Sequence, residues 1–65
     1  MEYVVVTIKE HDEFIELMTY NRDDAIEAAR EAWAWMTDYD QKHSRVEVRR
    51  FADEDDDDYD TIEWR

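Results

Sequence analysis

The residues able to do chemistry are few in kind. The 65-residue chain has two histidines, twenty carboxylates and no cysteine, glycine or proline. His43 stands beside Ser44, the chain's one serine. Neighbours on a loop do not make a nucleophile–base pair, and no carboxylate is spaced to orient the imidazole. No catalytic residue is expected. His11, Asp12 and Glu13 cluster where a tight turn is expected, and there they read as a solvated turn rather than a ligand set. Asp53, Asp55 and Asp57 repeat the 1-3-5 spacing of an EF-hand loop. The sixth position, however, is Asp58 in place of glycine, and the twelfth is Trp64 in place of a bidentate glutamate. Weak cation association is the most this run implies, with no metal site. Without glycine, a Walker or dinucleotide-binding loop is excluded, and no cofactor is expected.

The acids carry more information as a surface than as a site. Net charge is −12, which disfavours direct binding to nucleic acid or to an anionic membrane. A basic partner is what that sign permits. Asp23, Glu27 and Glu31 form an i, i+4, i+8 row, so on a helix their carboxylates repeat about every 6 Å. Such a row, with Asp55, Asp56, Asp57 and Asp58 of the DEDDDD run, can imitate the phosphates of one DNA strand. Trp35 falls at the margin of the apolar stripe of the same helix, where an exposed tryptophan can anchor a partner.

These groups need elements to hold them. NRDDAIEAAREAWAWM, residues 21–36, predicts a helix: Ile26, Ala29, Trp33 and Met36 share one face, widened by Ala25 and Ala32. Asn21 is placed as N-cap, Asp24 three residues on as its capping-box partner, and Tyr20 with Ala25 as a weak staple. Residues 2–9 and 13–20 predict two antiparallel strands joined through Glu10–Asp12, and residues 45–51 a third. Thr37 with Asp40 predicts one more helical turn over 38–43. Left-handed turns are expected to fall on Asn, Asp or His.

The expected fold is α+β: an antiparallel β-β-α-β sheet in the order 2-1-3, with one helix packed on one face. Residues 1–52 form the domain. Residues 53–65 form an acidic connector, expected to be flexible, followed by a short fourth strand or docking segment carrying Ile62 and Trp64. Val4, Val6, Ile8, Ile15, Leu17, Val46 and Val48 are expected beneath the helix. Tyr3, Val5, Phe14, Met18, Tyr20 and Phe51 are expected on the sheet's other side, to be covered by the C-terminal segment, a second copy or another partner, or left as an interaction patch. Tyr3, Phe14, Met18, Tyr20 and Trp35 are thus the candidate protein interface.

The stretches VVVTIKEH, DAIEAAREAW and VEVRRF, within the first fifty residues or so, resemble small acidic proteins of Firmicutes phages and conjugative elements that are similar to the DpnD/PcfM C-terminal domain. The YDTIEW ending departs from that family's short acidic end. The resemblance implies an α+β fold and a mobile-element setting, and supplies no catalytic residues. With no basic segment after Met1 and no apolar stretch of membrane-spanning length, a cytoplasmic protein is expected. The expected function is non-enzymatic: an acidic protein-binding module, such as a mobile-element accessory protein or DNA mimic that occupies a basic nucleic-acid-binding surface. The alternative is a homodimer or larger scaffold associating through the sheet's apolar back face.

Overall fold

A computed structural model describes residues 1–52 and 58–65. The elements run β1 (Glu2–Lys9), β2 (Asp12–Thr19), α1 (Arg22–Ala34), α2 (Asp38–His43), β3 (Ser44–Phe51) and β4 (Tyr59–Trp64). All neighbouring strands are antiparallel, in the order β2-β1-β3-β4. The third strand therefore returns beside the first, and the C-terminal segment adds a fourth strand at the sheet's edge. The expected connector over residues 53–57 lies outside the described residues.

Alanine explains both why α1 forms and how closely it sits. It is the best helix former, and its small side chain lets a helix approach a sheet. Ala25 and Ala29 are fully buried against Val5, Val46 and Val48, and Ala28, Ala32, Trp33 and Met36 close the margins of that core. Asn21 caps the helix, its Oδ1 accepting from the N–H of Asp23 at 2.9 Å and of Asp24 at 3.2 Å. The capping box is not the one expected: the Asn21 N–H donates to Thr19 Oγ1 at 3.1 Å, not to Asp24. Thr37 caps α2 as its sequence predicts, accepting from the Asp40 N–H at 3.2 Å. Gln41 Nε2 donates to the Trp33 carbonyl at 3.0 Å, tying α2 to the end of α1.

Two expectations about the backbone fail. No described residue has a positive φ, so the β1–β2 turn at Glu10 and His11 and the other described turns use right-handed or extended residues. The inward face of β1 is also the opposite of the one expected. Val5 pairs with Val48 and Thr7 with Val46, which puts Tyr3, Val5 and Thr7 beneath the helices and Val4, Val6 and Ile8 behind. Three consecutive valines carry no alternation, so the face is decided by β3, where Val46 and Val48 alternate with Arg45, Glu47 and Arg49.

On β2, Leu17 faces the helix as expected, but the register with β1 shifts between Val5 and Val6. Glu16 is the extra residue of that bulge, and it inverts the strand ahead of it. Phe14, opposite Thr7, therefore lies on the helix side, and Ile15, opposite Val6, lies behind. Tyr3, Val5 and Phe14 are thus removed from the back face, while Met18 and Phe51 remain on it.

Candidate binding surface

The sheet's back face is roofed by charge. Arg49 donates through Nη2 and Nη1 to Glu13 at 3.0 and 3.4 Å and through Nε to Glu47 at 3.1 Å, and Arg45 reaches Glu47 at 3.2 Å. Because Arg49 sits on β3 and Glu13 on β2, their bridge passes over β1. Beneath it Val4 and Val6 are only 6% and 2% exposed. β4 extends the roof: Arg45 lies 5.3 Å from the Trp64 ring centroid, Arg49 lies 4.6 Å from that of Tyr59, and Phe51 packs on Tyr59. Hydrogen bonding to Arg49, reinforced by its charge, holds the Glu13 carboxyl below its ordinary range. The same hydrogen bond raises Arg49 above its own, against the opposing effect of burial. The centre of the back face is thus covered by guanidinium stems and carboxylates of this chain.

The other flank is open. β2 is an outer strand and pairs only with β1 among the described residues. On its back face Ile15 and Met18 are 64% and 56% exposed. Phe14 and Tyr20 are also exposed, whereas Tyr3 is half-buried against the core. Of the expected interface residues, Phe14 and Trp35 line one open groove of about 660 Å³, together with Met36 and Ala32. Trp35 is the C-cap of α1, its N–H donating to the Glu31 carbonyl at 3.0 Å, and its side chain is 87% exposed.

A second hollow, of about 440 Å³, continues along β2 between Glu16–Thr19 and the Asp24, Glu27, Ala28 and Glu31 flank of α1. The row Asp23, Glu27 and Glu31 is exposed as expected, and its last two members, Glu27 and Glu31, line this hollow beside the open strand. Glu16 accepts from Thr7 Oγ1 at 2.8 Å, which turns the bulge carboxylate toward the helix side. Of the expected acidic contacts, Asp58 is exposed, while Asp55, Asp56 and Asp57, like the EF-hand-like spacing that begins at Asp53, lie outside the described residues.

Both histidines border a third hollow, with Asp12, Tyr39 and Asp40, and the Tyr39 and His43 rings lie 4.3 Å apart. Among the described residues no group of three His, Asp or Glu side chains is placed to hold a metal ion. No described helix is long and apolar enough to cross a membrane.

Sequence reasoning missed Ile15 and Glu16, both displaced by a bulge that has no glycine to mark it. It also missed the Glu13–Arg49–Glu47–Arg45 chain. The signal for the latter was present in RVEVR, where alternating charges and valines give a strand one ionic and one apolar face. Compared with family models, curated proteins and solved structures, the chain matches none.

Proposed function

We propose that this protein is a non-catalytic, cytoplasmic binding module that docks on a basic protein surface of the kind that otherwise holds nucleic acid. The observation that carries this reading is the exposed row Asp23, Glu27 and Glu31 along α1, of which Glu27 and Glu31 flank the hollow beside a strand left open at its outer edge. Neighbouring Asp24 and Glu16 deepen the negative field there, and the chain's net charge of −12 steers basic partners toward it. The spacing of the row supports imitation of a phosphate backbone. A mobile-element or phage setting rests on the resemblance of the first fifty residues or so to acidic proteins of such elements.

The test is competition. Titrated into a complex of labelled duplex with a basic nucleic-acid-binding protein, the chain is expected to displace the duplex, with an affinity that falls steeply as salt rises. Changing Asp23 to Asn together with Glu27 and Glu31 to Gln should weaken displacement and leave the fold intact, since all three side chains face solvent. If those changes have no effect while Trp35→Ala abolishes displacement, recognition is hydrophobic and the mimicry reading fails.

A second reading, a homo-oligomeric scaffold, is supported by the exposed Ile15, Met18 and Trp64 on the back face. Sedimentation across a concentration series separates the two, because only the scaffold gains mass without a partner.

A further inference from the structure

We infer that the outer edge of β2 accepts an added β-strand from the partner, and that this strand alternates basic with apolar residues. An outer strand presents backbone N–H and C=O groups that a second chain can pair with. β2 carries eight residues without proline or lysine, two of the residue types that commonly guard such edges. The alternation follows from what flanks the edge on its two sides. Toward α1, an added strand meets the hollow edged by Glu16, Asp24, Glu27 and Glu31. Behind the sheet it meets Ile15 and Met18, both more than half exposed and lying on the same face by their pairing with Val6 and Val4.

Successive residues of a strand point to opposite faces. One set of side chains therefore lies against carboxylates and the other extends the apolar back face. The bulge at Glu16 divides the edge into Asp12–Ile15 and Leu17–Thr19, so the added strand need pair along only one of these short ladders. Charge decides between occupants. A second copy would bring its own β2 acids against these and add a further −12, whereas lysine or arginine at every other position complements them.

This inference rests on the basic-partner reading above, and its test separates the two. The probe is a labelled ten-residue peptide of alternating lysine and valine. Controls are the same peptide with a central proline, which cannot complete a ladder, and one of alternating glutamate and valine. Fluorescence anisotropy reads affinity, and amide hydrogen exchange on the full chain locates the contact. Expected are binding of the lysine peptide, a several-fold loss with the proline control, and no binding of the glutamate peptide. Protection should rise roughly tenfold or more at outward-facing amides of at least one of the two ladders, Asp12–Ile15 or Leu17–Thr19.

Equal binding of the lysine and proline peptides, or protection confined to other elements, overturns strand addition while leaving a basic partner in place. Protection of β2 that rises with protein concentration and no peptide present makes a second copy the occupant and overturns the proposal. Absence of any binding at low salt also overturns it, and the duplex competition then decides whether the broader reading falls with it. Glu27→Gln with Glu31→Gln should weaken the lysine peptide several-fold without altering the exchange pattern of the free protein.

Discussion

Replacing Arg49 by methionine should cost this small domain a large share of its stability. The change keeps most of the apolar stem over Val4 and Val6 and removes the charge. The Arg49 side chain is 12% exposed and that of Glu47 is 11% exposed. Without Arg49, Glu47 retains only Arg45 among the described residues, at 3.2 Å and largely in solvent. Breaking a fully buried pair costs about 3–5 kcal/mol, and residual hydration with the remaining Arg45 contact reduces this to about 2–3 kcal/mol here.

At about 0.05–0.15 kcal/mol per residue, a chain of this length has roughly 3–10 kcal/mol in total. The melting temperature should fall by roughly 10–20 °C, taking about 4–8 °C per kcal/mol for a domain of this size. Urea denaturation followed by tryptophan fluorescence and far-UV circular dichroism measures it. The double variant Arg49→Met/Glu47→Gln should lose at least about 1 kcal/mol less than the sum of the two single variants, because the buried carboxylate of Glu47 is then no longer left stranded, while that of Glu13 is more than half exposed. An Arg49→Met protein within about 0.5 kcal/mol of the parent, the range of an ordinary surface change, would refute the roof as a stabilising element. So would strict additivity of the pair.

Further measurements bear on other parts of the fold. Asn21→Ala should cost about 0.5–2 kcal/mol through loss of two N–H contacts at the start of α1, and Asn21→Gly only a few tenths; parallel urea titrations compare them. The Glu13 carboxyl is held down by Arg49, so its contribution is complete above the ordinary glutamate value of 4.5 and is lost as pH falls through the lowered folded value. Glu13→Gln should therefore destabilise the protein at about pH 6, and its effect should fade as pH falls through the lowered folded value. Moderate sodium chloride should raise the melting temperature, because the net charge of −12 repels itself and ions screen it within roughly 8 Å. A steady fall would mean that the ion pairs of Arg45, Arg49 and Arg50 outweigh that repulsion.

The order of elements was legible because each has its own local signal. Asn21 and Thr37 announce helix starts, β-branched runs announce strands, and short connections force antiparallel neighbours. The ends of β1 and α2 fall where their residues place them. Side-chain direction was less legible. A valine triplet reads the same from either face, so β1 took its orientation from β3, some forty residues away. The bulge at Glu16 then inverted half of β2, exchanging Phe14 with Ile15. The exposed row Asp23, Glu27 and Glu31 needed only helical spacing, and Trp35 only its place beyond the stripe. That Glu27 and Glu31 flank an open strand depends on tertiary packing, which neither stretch contains.

The two sides of the sheet also differ in how heat acts on them. Beneath the helices β1 and β3 are held by valine packed on alanine, an attraction that weakens on cooling and levels off when warm. On the opposite side the same strands are held by guanidinium and carboxylate groups, whose dehydration becomes less unfavourable as temperature rises. Heating therefore relieves part of the cost of the ionic side while the apolar side is near its plateau, and chilling weakens the apolar side first. The helix layer is accordingly where cold-induced loosening should begin, and the strands tied by Arg49 are where native structure should persist longest on warming.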